Sequence, residues 1–108
     1  MNQDTAREYY NRIMVTRCDE QREDLLRHAV DYTHERALWK IASSEERQER
    51  DLYRSRIHNC FIDCCNILSR AQIKSGESAQ WRADLGTDRR EIGDFACYIT
   101  LFLSLEAR

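Results

Sequence analysis

Residues 58 to 66 read HNCFIDCCN, which sets His58, Cys60, Asp63, Cys64 and Cys65 within nine positions. Thiolate, imidazole and carboxylate are the side chains that hold transition metals, and an exposed low-pKa thiolate is what redox chemistry requires. Winding the stretch into a helix separates these groups. Tyr53, Ile57, Cys60, Cys64, Ile67 and Ala71 recur at alternating steps of four and three, the spacing of a seam packed against another helix. Phe61 and Leu68 widen that seam on one side and Cys65 continues it; Cys60 and Cys64 fall in its middle, and His58 lies at its edge one turn after Arg54. Asn59, Asp63, Asn66 and Arg70 form a polar back. One ion cannot collect ligands from three faces. The metal candidate that remains is Cys60 with Cys64, which needs two more ligands from Cys18, Cys97 or a histidine on another helix. There is no CxxC pair and no HExxH. Free cysteine is often a small buried hydrophobe, so core packing is the expectation and no cofactor is expected.

A second constellation joins His58 and Arg54 to Asp94 as a small ligand-binding pocket. Asp94 stands in IGDFA, just ahead of an apolar run, where a half-buried carboxylate needs a cationic partner; an arginine or His58 would serve. Gly93 beside it leaves room for a close approach. The remaining compact basic feature is Trp81-Arg82 followed by Arg89-Arg90, a pattern that suits a phosphate or a base, although the expectation is a docked tryptophan with solvent-facing arginines. No GxSxG, phosphate loop or dinucleotide fingerprint occurs, so the expectation is a protein that is not an enzyme.

The elements that would position these residues are helical. The chain has no proline and three glycines, with abundant Ala, Leu, Glu, Arg and Gln. A first helix is expected over 4–17, its apolar face formed by Ala6, Tyr9, Tyr10, Ile13 and Met14. A second runs from Asp19 to Ala42 with Leu25, Leu26, Ala29, Val30, Thr33, Ala37, Leu38 and Ile41 as its apolar set, and Tyr32 and Trp39 on the flank. The two apolar faces are out of phase at about 100° per residue, which predicts a break near Cys18 and Asp19. Ser43 and Glu46 have capping-box spacing for a third helix that ends at Gly76. Trp81 and Leu85 dock a short connector, and Asp88 with Glu91 opens the last helix. The expected fold is therefore all-α: one domain over 1–108, a four-helix, mostly antiparallel bundle with a short extra helix between the third and fourth.

From Phe95 to Leu105 the last helix is apolar nearly all round. Such a helix lies at the centre of a bundle or buries a second face against another chain. Phe95, Tyr98, Ile99, Leu101, Phe102 and Leu105 are the expected interface residues, and the expected partner is a second copy or another helical protein. The favoured function is a protein–protein interaction or structural module that self-associates. The alternatives are a ligand- or metal-binding bundle and, with less support, an arginine-based nucleic-acid or phosphate binder. Fifteen of the 17 basic residues are arginine, yet the net charge is −2 and most alternate with acids, which argues against general attraction to nucleic acid. The apolar run is too short to span a bilayer. The start MNQDTAREYY has no signal-like apolar core, and five cysteines is an odd number, so a cytoplasmic protein with reduced thiols is expected.

Overall fold

A computed structural model of the chain describes residues 1–107. They form α1 (Gln3–Met14), α2 (Asp19–Ile41), α3 (Ser44–Lys74), a short α4 (Gln80–Leu85) and α5 (Arg89–Glu106). The helix ends follow from local chemistry. The Asn2 side chain accepts from the Thr5 N–H at 2.8 Å and starts α1 two or three residues earlier than Asp4 or Thr5 would. Ser43 and Glu46 make the reciprocal capping box of α3, and the Asp88 carboxylate accepts from the Glu91 N–H at 3.0 Å to open α5. Gly76 follows the end of α3 at φ +83° and Gly86 closes α4 at φ +72°, left-handed conformations that other residues resist.

The break between α1 and α2 falls at residues 15–18, where the phase argument requires it. Cys18, not Asp19, takes the capping position; Asp19 stands in the first turn, where the helix dipole favours a carboxylate, and pairs with Arg22 at 3.0 Å. Glu77, three residues past the end of α3, fastens this turn. It accepts from the Thr16 hydroxyl at 2.8 Å, the Arg17 N–H at 3.3 Å and the Ser75 hydroxyl at 3.1 Å.

α2 and α3 form an antiparallel hairpin, registered by Tyr32 against His58 and Glu35 against Arg50. α5 runs antiparallel along α2, with Thr33 beside Ala96 and Thr100. At that crossing the residues are small, and the two threonine hydroxyls lie 2.9 Å apart within reach of the Ala29 and Ala96 carbonyls. α1 lies parallel to α5, with Met1 at Glu91 and Tyr10 at Glu106. At 1.5 Å per residue a helix the length of α3 spans about 46 Å, so α3 alone accounts for the 47 Å long axis of the molecule. α5 is shorter, and the closed end of the α2–α3 hairpin extends past its start.

The packing revises two expected faces. On α3 the buried residues are His58, Phe61, Cys64, Cys65, Leu68, Ser69 and Gln72. The 3–4 seam is therefore His58, Phe61, Cys65, Leu68 and Gln72, one residue displaced from the expected one, and Cys60, Tyr53 and Ile67 face outward. Phe61 and Leu68, expected on the flank of the seam, are its centre and are fully buried. The polar members of the true seam are satisfied in place: Gln72 accepts from the Trp81 indole at 2.7 Å and His58 is bonded to Tyr32. On α2, Tyr32 and Glu35 are buried while Val30 and Ile41 are exposed, because the Glu35 carboxylate is held by both the Nε and an Nη of Arg50.

α5 is the central helix. Ile92, Phe95, Ala96, Ile99 and Phe102 are buried in the chain's own core, against α1, α2 and α3. Its apolar character is thus used internally. Phe95, Ile99 and Phe102 present no surface to a partner, Tyr98 is half-buried, and only Leu101 and Leu105 of the six expected interface residues are open, at 44% and 48% exposure. No helix among the described residues is long and apolar enough to cross a membrane.

Candidate functional site: a cationic cleft between α2, α3 and α5

Where the hairpin passes the first turn of α5, the three helices enclose an open cleft of about 370 Å³. Five cationic side chains line it: Arg36 and Lys40 from α2, Arg54 from α3, and Arg89 and Arg90 from α5. Helical spacing explains the grouping. Arg36, Trp39 and Lys40 share one face of α2 at i, i+3 and i+4. The antiparallel register puts Arg54 opposite that face, with its guanidinium over the Trp39 ring 3.9 Å from the centroid. Arg89 and Arg90 enter because Asp88 starts α5 at this level.

The floor is made by Tyr32, Ile57 and Gly93. A Cβ on Gly93 would stand 3.1 Å from both the Tyr32 hydroxyl and an Arg36 Nη, so the bare helix surface is what admits these two side chains. Beneath the floor the Tyr32 hydroxyl and His58 Nδ1 share a hydrogen bond of 2.5 Å, both residues being buried. Burial pushes the Tyr32 hydroxyl above its ordinary value. Burial also lowers the His58 imidazole, with the positive charges of Arg89 and Arg54 adding to the effect. His58 is thus a neutral support for the cleft floor.

The charge balance is one-sided. Glu35 is the one carboxylate in the lining, and Arg50 engages both of its oxygens. Arg36 is bonded to Asp94 at 2.8 Å, and Arg54 has a distant contact with Asp51 at 3.5 Å. Lys40, Arg89 and Arg90 have no ion pair among the described residues. The Nε of Arg54 is buried without a hydrogen-bond partner. A concave site with low-dielectric walls focuses such charge, and here its sign opposes the net charge of −2.

The three residues expected to form a ligand pocket do not converge on one point. Arg54 lines the cleft, His58 supports it from below through Tyr32, and Asp94 lies on the far side of Arg36. There Asp94 faces a neighbouring, shallower hollow of about 320 Å³ and the N-terminal ammonium, 3.3 Å away. Burial opposes ionisation of Asp94, but the Arg36 hydrogen bond and the ammonium outweigh it and hold the carboxyl below its usual range. The arginine partner sought for Asp94 is therefore Arg36. Arg89 and Arg90 join the cleft, whereas Arg82 is bound to the Asn66 side chain at 2.7 Å and to the Gly86 carbonyl at 2.9 Å, away from it. Arg36, Trp39 and Lys40 were missed from sequence because their shared face was read only for its apolar neighbours.

The cysteines do not assemble. Cys60 is exposed, Cys64 and Cys65 are buried, and among the described residues no group of three or more His, Cys, Asp or Glu is placed to hold a metal ion. Burial raises the Cys64 thiol and pushes Cys65 up to about 12, so both keep their protons. The depression beside Trp81 and Tyr9 is only about 70 Å³ and mixes Arg12 with Glu8 and Asp84. Comparison with models of protein families, with curated proteins and with solved structures finds no match for the chain.

Proposed function

We propose that this chain is a non-enzymatic binding bundle that takes a small organic anion in the cleft between α2, α3 and the start of α5. The observation that carries the reading is the set of five cations around a concave volume of about 370 Å³ whose single carboxylate is already occupied by Arg50. Bundles commonly build ligand sites from side chains on facing helices, and pockets combine apolar walls with a few convergent polar groups.

The test is a thermal-shift screen of mono-, di- and tricarboxylates, phosphates and sulfonates, on the wild type and on an Arg89→Ala/Arg90→Ala variant. Both arginines are exposed and unpaired, so their removal leaves the fold intact. At least one class of anion stabilises the wild type and does so much less in the variant. If no anion shifts the wild type at millimolar concentration, the reading fails.

A second reading, a module that self-associates or meets a helical partner, is favoured by Leu101 and Leu105 on the outer face of α5. Two leucines beside a half-buried Tyr98 are a small patch by the standard of stable interfaces. Sedimentation equilibrium over a wide concentration range decides it: a monomer throughout removes the self-association form.

A further inference from the structure

The hydrogen-bonding character of the lining narrows the ligand beyond its sign; this step rests on the anion-binding reading. The four lining guanidiniums, the Lys40 ammonium and the Trp39 indole are all donors. The lining side chains hold two acceptor groups, and both are engaged: the Glu35 carboxylate by Arg50, and the Tyr32 hydroxyl by His58. Donors thus far outnumber acceptors in the lining. A ligand rich in its own donors, such as a sugar, a nucleoside or an amino acid, meets few groups that can accept them, and a desolvated donor left unpaired is costly. An ammonium group would also meet like charge. A group that only accepts loses nothing.

Charge number and shape add two constraints. Lys40, Arg89 and Arg90 stand unpaired and Arg54 nearly so, more positive charge than a monoanion would neutralise. Among the cations, Trp39, the Tyr32 ring and Ile57 give the cleft apolar surface. The guanidinium of Arg54 sits over the Trp39 ring, 3.9 Å from its centroid, and a guanidinium is a planar group on which an aromatic ring can stack. We infer that the cleft selects an organic anion of two or more charges that has an apolar, flat body and no hydrogen-bond donors, of the chemical class of an aryl phosphate monoester or an aromatic dicarboxylate. The charged end meets Arg89, Arg90 and Lys40, and the body stacks on Arg54.

Titration calorimetry with five probes tests this: 1-naphthyl phosphate, naphthalene-1,4-dicarboxylate, 1-naphthoate, adenosine monophosphate and inorganic phosphate. The expected result is binding of one or both of the first two at least tenfold tighter than the other three. Arg54→Lys keeps the charge but removes the flat surface. It should weaken the aromatic dianions about tenfold and leave inorganic phosphate unchanged. Equal or tighter binding of adenosine monophosphate overturns the donor-free assignment while leaving the anion site standing. Equal binding of 1-naphthoate overturns the charge requirement, and equal binding of inorganic phosphate overturns the need for an apolar body. If no probe binds, and the anion screen is also silent, both this inference and the anion-binding reading fall together.

Discussion

Replacing Phe95 by alanine separates the central-helix arrangement from an interface role for α5. The Phe95 side chain is fully buried and touches three other aromatics, Tyr9 edge-on at 5.8 Å and Phe61 and Trp81 at 6.4 Å. Truncating a buried phenylalanine removes its transfer free energy and leaves a cavity lined by rings that cannot collapse, a loss of about 3–5 kcal/mol. Domains of this size have a total stability of about 5–15 kcal/mol. With a urea dependence of about 2 kcal/mol per molar, the unfolding midpoint should fall by about 2 M. Leu101→Ala is the control: its side chain is nearly half exposed, and its removal should cost about 1 kcal/mol or less. Far-UV circular dichroism in urea, at several protein concentrations, measures both. Comparable shifts for the two variants would refute the central placement of Phe95. So would a Phe95→Ala deficit that disappears on dilution, because that is the behaviour of a lost intermolecular contact.

Other consequences are measurable on the same protein. Tyr32→Phe leaves the buried His58 Nδ1 without its partner and should destabilise by about 1–3 kcal/mol, read by the same urea titration. His58 is held below its ordinary value of 6.5 in the folded chain, so as pH falls the unfolded chain takes up this proton first. Stability should therefore decline as pH drops through about 6.5 and level once folded His58 also protonates; His58→Gln should lack that part of the slope, and parallel profiles would show the assignment to be mistaken. Cys60 is exposed while Cys65 is buried and keeps its proton. An aromatic disulfide reagent should accordingly label Cys60 first and Cys65 only after unfolding, with mass spectrometry locating the adducts.

The fold was legible in the sequence because its punctuation is local. Ser43 with Glu46, Asp88, Gly76 and Gly86 each act through neighbours within a turn, and the phase clash between the faces of α1 and α2 marks their break. The seam of α3 was misread by one residue because a pattern of cysteines and isoleucines looks more apolar than one containing His58 and Gln72. Those two are buried only because Tyr32 and Trp81, on other helices, supply their hydrogen bonds. The same limit hid the cleft. Arg54 and the pair Arg89-Arg90 stand out as residues, but what makes them a site is Arg36, Trp39 and Lys40 arriving opposite, which depends on hairpin register and not on any motif. The apolar run of α5 is spent on the core through Phe95, Ile99 and Phe102 and leaves Leu101 and Leu105 open, a division that composition alone could not assign.

The two tryptophans sit in parts of the molecule that close over very different lengths of chain. Trp39 is on the α2–α3 hairpin, whose helices are joined by only Ala42 and Ser43. Trp81 packs near Phe95 in a region completed by α1 meeting α5, as at Met1 and Glu91, 90 residues apart. Closing a short loop loses little chain entropy, and contacts between distant segments form late. Refolding watched by fluorescence should carry two successive clocks: an early change from Trp39 as the hairpin zips, and a later one from Trp81 as the terminal helices dock. Single-tryptophan variants would let each be timed alone.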